Sequence, residues 1–164
     1  MSIMGITQPS IIEISNEIRL CKYDGQNDFA LSWYRDAETL MLVDGNTEPY
    51  DIGKLNRMYS YLDERGELYY IEIKVKDKYI PIGDVAFSKT DMPIVIGNKE
   101  YRGKGIGKKV VAKLVERGKE LGYRELFVKE IYSYNIGSQK LFESVGFRRY
   151  GETSKGYSYR LNIN

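Results

Sequence analysis

Three glycines fall within five residues, Gly103, Gly105 and Gly107, between an apolar run at 92–97 (MPIVIG) and a segment of helical period. The run is consistent with a central strand buried on both faces. Beyond it, Ile106, Val110, Val111, Leu114, Val115 and Leu121 fall on one helical face, and Lys108, Lys109, Lys113, Glu116, Arg117, Lys119 and Glu120 cover the other. The glycines allow a sharp strand-to-helix turn whose N–H groups point inward. A helix start adds unpaired amides and a positive dipole end, and Arg102, Lys104 and Lys108 add charge, so the turn is a phosphate site in outline. Two nucleotide readings fail on spacing. A dinucleotide fingerprint counted from Gly103 ends on Lys108, and counted from Gly105 it ends on Val110. A P-loop ending in Gly107-Lys108 needs Gly at 102 and Ser or Thr at 109, where Arg102 and Lys109 stand.

The remaining pattern predicts mixed architecture. A first strand is best placed at 17–23, a short helix at 28–36, and a loop rich in Asp, Gly, Asn and Pro at 43–50. Asp51 reads as the N-cap of a helix reaching about residue 64. Alternation predicts a hairpin, 68–75 and 79–88, around a tight turn at 76–78. A strand at 125–132 precedes a helix at 135–145 with Ser138, Leu141, Phe142 and Val145 on one face, and strands at 147–150 and 157–163 close the chain. No repeat or linker-like run divides it. The expectation is one α+β (α/β three-layer) domain over residues 1–164.

Composition narrows the chemistry. A formal charge of +2 is too small to argue for nucleic acid or an anionic membrane as a partner. No apolar run approaches the ~20 residues that span a bilayer. Residues 1–10 lack the charged start and apolar stretch of a signal peptide, which points to a cytoplasmic protein. With one cysteine, Cys21, and no histidine, neither a disulfide nor a His/Cys metal site is expected. Any general base must then be a carboxylate, a tyrosine, a lysine or water. The 15 tyrosines read first as packing groups with a polar tip.

Arg102, Gly105 and Gly107 fit R/Q-x-x-G-x-G/A, and Asn135 to Phe147 fit N-x-x-(A/S)-x-x-x-(Y/F)-x-x-x-G-F. One helix and one strand separate the two elements. On these residues the chain resembles the GNAT superfamily of N-acetyltransferases, sharply over 92–150 and only in architecture over 11–90. The resemblance implies a mixed central sheet whose fourth and fifth strands splay apart, flanked by helices, with acetyl-CoA as co-substrate lying in the gap. It implies that backbone groups of Ile94, Val95, Ile96 and Gly97 pair with pantetheine. Arg102, Gly103, Lys104, Gly105, Ile106, Gly107 and Lys108 would bind the pyrophosphate, and Asn135 would bond pantetheine with Ser138 nearby. The implied activity is acetyl transfer to a primary amine by direct attack on the thioester. The acceptor would be a small amine, an aminoglycoside-like molecule or a protein N-terminus. A non-catalytic acyl-CoA-binding domain is the other reading. Family members are often homodimers, though no residue here marks an interface.

The catalytic groups are less marked. Many members place a tyrosine seven residues after the asparagine as the acid, and here that position is Phe142, which cannot donate a proton. Tyr134 and Tyr132 are near in sequence. Asp84 and Glu130 are the carboxylates that could draw a proton from the amine. Trp33, Tyr34, Asp36, Asp44, Glu48 and Tyr50 fall where family members build the acceptor site, and acidic and aromatic groups there would suit a cationic amine.

Overall fold

The computed structural model describes Ile3 and residues 5–163. Met1, Ser2 and Met4, part of the stretch read against a signal peptide, lie outside that description. Among the described residues eight strands and four α-helices follow in the order β1 (Ile11–Glu13), β2 (Ile18–Lys22), α1 (Ala37–Val43), α2 (Ile52–Arg65), β3 (Glu67–Val75), β4 (Lys78–Phe87), β5 (Ile94–Ile96), α3 (Ile106–Glu120), β6 (Glu125–Tyr132), α4 (Ile136–Val145), β7 (Arg148–Glu152) and β8 (Gly156–Asn162). The stretch expected as a short first helix is 3-10, Asp28–Arg35, with non-helical backbone at Tyr34. A second 3-10 turn covers Lys99–Tyr101. Among the described residues no helix is long and apolar enough to cross a membrane.

The strands form two antiparallel sheets, β1-β2-β3-β4-β5 and β6-β8-β7. Period-2 alternation explains why both faces of the larger sheet are covered. On β3 and β4, Tyr69, Ile71, Val85 and Phe87 join one core with Val110, Val111 and Leu114 of α3 and Phe142 of α4. Leu68, Tyr70 and Ala86 join the opposite core with Trp33, Tyr34, Leu40 of α1, and Leu55 and Tyr59 of α2. Three layers result. Asp51 caps α2 as expected, its carboxylate accepting from the Lys54 N–H at 2.8 Å. The hairpin turn at Lys76 and Asp77 takes positive φ at both residues, 50° and 65°, without glycine.

The two sheets meet along one short seam. Phe127 N–H donates to the Lys89 carbonyl at 3.3 Å, and Lys129 N–H donates to Asp91 Oδ1 at 3.0 Å. Partners ascend together along both segments, so β5 and β6 run parallel, which makes the combined sheet mixed. Beyond Asp91 no ladder joins them among the described residues. This corrects the expectation of a doubly buried central strand. β5 is a three-residue, half-buried strand at the edge of the larger sheet. Met92 is buried in the core, while Ile94, Val95 and Ile96 border the two cores and also line an opening. The added short strand β1 makes β5 and β6 the pair expected as fourth and fifth.

Gly97 ends β5 against Trp33. A Cβ at Gly97 would stand 2.2 Å from Trp33 Cγ, and Trp33 is buried. Gly97→Ala must push the indole out of a packed core, so we expect a loss of about 1–3 kcal/mol, read as a lower chemical-denaturation midpoint with an unchanged m-value.

Candidate active site

The turn after β5 is built in three steps. Asn98 Oδ1 accepts from Glu100 N–H at 3.1 Å and starts the 3-10 turn. Arg102 is extended, and Gly103 and Gly105 then take φ of 73° and 80°, a region that side chains other than Asn and Asp rarely enter. Gly105 leads directly into α3 with no side-chain cap, which leaves first-turn N–H groups for an outside acceptor. A Cβ at Gly103 or Gly105 would meet nothing within 4 Å, so the backbone here borders open space. Gly107 differs: a Cβ there would lie 2.5 Å from Leu141 Cδ1, so this glycine lets α3 approach α4.

A second helix start faces the same space. Asn135 caps α4, its Oδ1 accepting from Ser138 N–H at 3.1 Å. Together these elements enclose a cleft of about 510 Å³. It is lined by Ile94, Val95, Ile96, Arg102, Gly103, Gly105, Ile106, Gly107, Lys108, Asn135 and Ser138 from the expected set. Thr39, Leu42, Val43, Tyr101, Gly137, Lys140 and Leu141 complete it and are not among the site residues expected from sequence. Its charged liners are Arg102, Lys108 and Lys140, all cations. Two expected members are elsewhere. Gly97 packs on Trp33, and Lys104 stands outside the lining with its ammonium 5.6 Å from the Tyr101 ring centre.

A second cleft of about 240 Å³ opens on the other side of the split. It shares Leu42, Val43, Ile94, Val95, Asn135 and Ser138 with the first, so the two spaces adjoin through the gap. Its own liners include Asp91, Glu130, Tyr132 and Phe142, and its only charged liners are the two carboxylates. Asp91 is committed to the backbone, accepting from Met92 N–H and Lys129 N–H at 3.0 Å each. Glu130 is exposed. Burial pushes the Tyr132 phenol above its ordinary pKa, with Glu130, Tyr134 and Asp44 adding to the effect, so it stays protonated.

The other candidates fall away from both clefts. Asp84 is buried behind β5, level with Val95 across the ladder, and accepts from Tyr34 and Tyr59 hydroxyls at 2.6 and 2.7 Å. Trp33 and Tyr34 belong to the core on that side and line neither space, which corrects their placement at an acceptor surface. Asp36 caps α1, accepting from Thr39 N–H at 2.9 Å, and pairs with Lys99 at 2.8 Å. The Lys99 bond, followed by that of Thr39, holds the Asp36 carboxyl down at about 2. Tyr50 is buried, half-buried Asp44 is its hydrogen-bond partner, and Glu48 is exposed outside both linings. Tyr134 donates its hydroxyl to the Met41 carbonyl of α1 and stacks on Tyr132 at 5.5 Å.

The model for the acetyltransferase (GNAT) family matches residues 28–147. The chain belongs to that family. A GNAT-family acetyltransferase from Bacillus anthracis superposes with a TM-score of 0.75 at 15% identity, covering 93% of this chain and 98% of that one. The microcin C7 self-immunity acetyltransferase MccE, solved with acetyl-CoA and AMP, gives 0.75 at 19% identity, covering 95% and 98%. Protein SPT10 of Saccharomyces cerevisiae is 40% identical over 55 residues, which are 34% of this chain and 9% of that protein. At these identities the solved structures show a shared fold. In this GNAT chain the splay is the β5–β6 split.

Asp84 gives the site's surroundings a pH signature. Burial raises its carboxyl from 3.8 to about 6, against the opposing bonds from Tyr34 and Tyr59. A carboxyl whose folded pKa is raised favours the folded state when protonated, so this contribution grows as pH falls from above 6 toward 3.8. We expect wild-type unfolding free energy to gain about 1–3 kcal/mol from this group between pH 7.5 and 4.5. In Asp84→Asn that component should vanish from the pH profile of denaturant unfolding.

Proposed function

We propose that the protein is an acetyl-CoA-dependent N-acetyltransferase acting on a primary amine. The observation that carries this reading is the division of charge across the split. The larger cleft holds two helix starts with Arg102, Lys108 and Lys140, and the smaller holds Asp91 and Glu130. A polyanionic acyl carrier suits the first and a cationic amine the second. The donor set fits such a carrier. Uncapped amides at Ile106 and Gly107, with Lys108, would hold the diphosphate, and Gly103 and Gly105 let the backbone come close to it. Pro93 O accepts from Ala86 N–H, and alternation along the ladder then turns the backbone groups of Ile94 and the Ile96 N–H toward the gap, where amides of an extended guest can pair. Asn135 and Ser138 border that path from the opposite side.

Acetyl-CoA supplies the activated acetyl group as a thioester, and the chain supplies binding, orientation and proton handling. Glu130, exposed on β6, takes a proton from the ammonium directly or through water. The freed nitrogen lone pair bonds to the thioester carbonyl carbon, the C–S bond breaks, and the second nitrogen proton passes to the departing sulfur or to solvent. The Tyr132 phenol is the tyrosine lining the acid side, since the Tyr134 hydroxyl is bonded to Met41 and Phe142 has none. The family acid is therefore absent at Phe142, and a thiol of moderate pKa can leave without one. The smaller cleft admits one amine-bearing arm, which suits a small amine, an aminoglycoside-like molecule or a protein N-terminus. The buried Phe142, edge-on to Phe147 at 5.2 Å, is the one feature that favours acyl-CoA binding without transfer.

Incubation with acetyl-CoA and a panel of amines, with release of CoA thiol as the readout, decides between them. Acceptor-dependent thiol release is expected, and Glu130→Gln should lower its kcat by about 10²–10⁴ without changing acetyl-CoA affinity. Binding without turnover on any amine would favour the second reading, and no binding would sink both. Gly105→Asp tests the diphosphate site. Aspartate tolerates the left-handed backbone better than most residues, and its carboxylate would face the phosphates. Calorimetric titration with CoA should show at least about a hundredfold loss of affinity in a folded variant; unchanged affinity would refute the assignment.

A further inference from the structure

The Arg102 side chain spans two elements. Its Nε donates to the Ile96 carbonyl at 2.7 Å, its Nη2 to Thr39 Oγ1 at 2.7 Å, and its Nη1 reaches Glu38 Oε1 at 3.4 Å. Thr39 is buried and passes the chain on, its hydroxyl donating to Asp36 Oδ2 at 3.0 Å. Lys99, three residues before Arg102, pairs with Asp36 at 2.8 Å and Glu38 at 3.5 Å. Two cations after β5 thus hold the first turn of α1. Its other end is held from across the split, where the Tyr134 hydroxyl, in the turn after β6, donates to the Met41 carbonyl. Between these ties, Leu42 and Val43 line both clefts. A helix of seven residues has little stability of its own, so these contacts fix where it lies.

We propose that Arg102 is a positioning residue that seats α1 as a roof over the split, coupling the acceptor side of the site to the loop that binds the diphosphate. This rests on the function proposed above. The backbone of Arg102 belongs to the glycine turn and its guanidinium belongs to α1, so whatever orders the one orders the other. A planar fork is required: it serves a carbonyl, a hydroxyl and a carboxylate at once, which a lysine ammonium on its single point cannot reproduce. A residue present only to neutralise phosphate would tolerate lysine.

Hydrogen exchange read by mass spectrometry, on the full chain with and without CoA, tests the coupling. In the free wild type the α1 amides should be protected, and CoA should slow them further. In Thr39→Val and Arg102→Lys they should exchange about tenfold faster, as expected for loss of a charge-assisted bond. The CoA-induced slowing should disappear, while α3 and β3 exchange as before. Thr39→Ser, which keeps the hydroxyl, should restore wild-type behaviour. Unchanged α1 exchange in both variants would overturn the proposal. So would CoA binding to the wild type without slowing α1, or an Arg102→Lys variant that loses CoA while α1 stays protected. If the wild type does not bind CoA at all, the proposed function fails, and exchange in the free proteins still decides the seating of α1.

Discussion

Two N–H groups on β6, those of Phe127 and Lys129, take the last bonds that join the two sheets, to the Lys89 carbonyl and the Asp91 carboxylate. Past them the strands part, and a polar strand edge is left facing a largely apolar cleft. Backbone groups in such a place need partners, because burying them bare costs as much as a lost hydrogen bond. An extended guest carrying its own amides would supply them. The connections after each strand follow from the same parting. With β5 and β6 parallel, both run out toward one end, and both lead into helices whose N-termini open there, α3 after Arg102–Gly105 and α4 after Asn135. One missing ladder therefore sets the slot, its polar edge and its positive mouth.

The roof is a second consequence. A split sheet cannot shut its own gap, and α1 does so with Leu42 and Val43, held at one end by Arg102 and Lys99 and at the other by Tyr134. The underlying core is stiff. Trp33 lies against Gly97, and Tyr34 and Tyr59 share one oxygen of Asp84, directly behind β5. The carboxylate there is best read as a support for the strand that lines the cleft. A charge that deep is costly unless well bonded, and two phenols on the same oxygen are what keep it near 6 rather than higher.

What was legible in the sequence was local. The glycine turn, the Asp51 cap, the β3–β4 hairpin and the two amphipathic helices each declare themselves within a few residues, and the structure has all of them. The resemblance to the GNAT superfamily also joined the two halves of the larger cleft. Tertiary facts were hidden. Nothing near Arg102 in sequence says that its guanidinium answers Thr39, 63 residues away. The helix α1 had a local mark, Asp36 three residues before Thr39, but its seven residues are too few for a periodic signal. Asp84 and Glu130 look alike as strand carboxylates. Only the parting of the sheets puts one in a core and the other in a cleft. Trp33 and Tyr34 misled for the same reason, since aromatics beside an acidic loop read equally as a surface or as packing.

Phe142 can be weighed against Glu130 by magnitude. In the proposed reaction two protons must move, one off the ammonium and one toward the departing sulfur. At pH 7 an alkyl ammonium of pKa ~10.4 lies about 3.4 units from its reactive form, roughly 4.6 kcal/mol, while a thiolate of pKa ~8.5 lies about 1.5 units from its thiol, roughly 2 kcal/mol. The base meets the larger demand. A site that keeps a carboxylate on β6 and has phenylalanine at position 142 has given up the smaller term. The balance also depends on the acceptor. An α-amino group of pKa ~7.8 needs only about 1 kcal/mol of help, so its transfer would lean lightly on Glu130. The size of the Glu130 effect on rate is therefore itself a reading of which kind of amine the acid-side cleft was built to take.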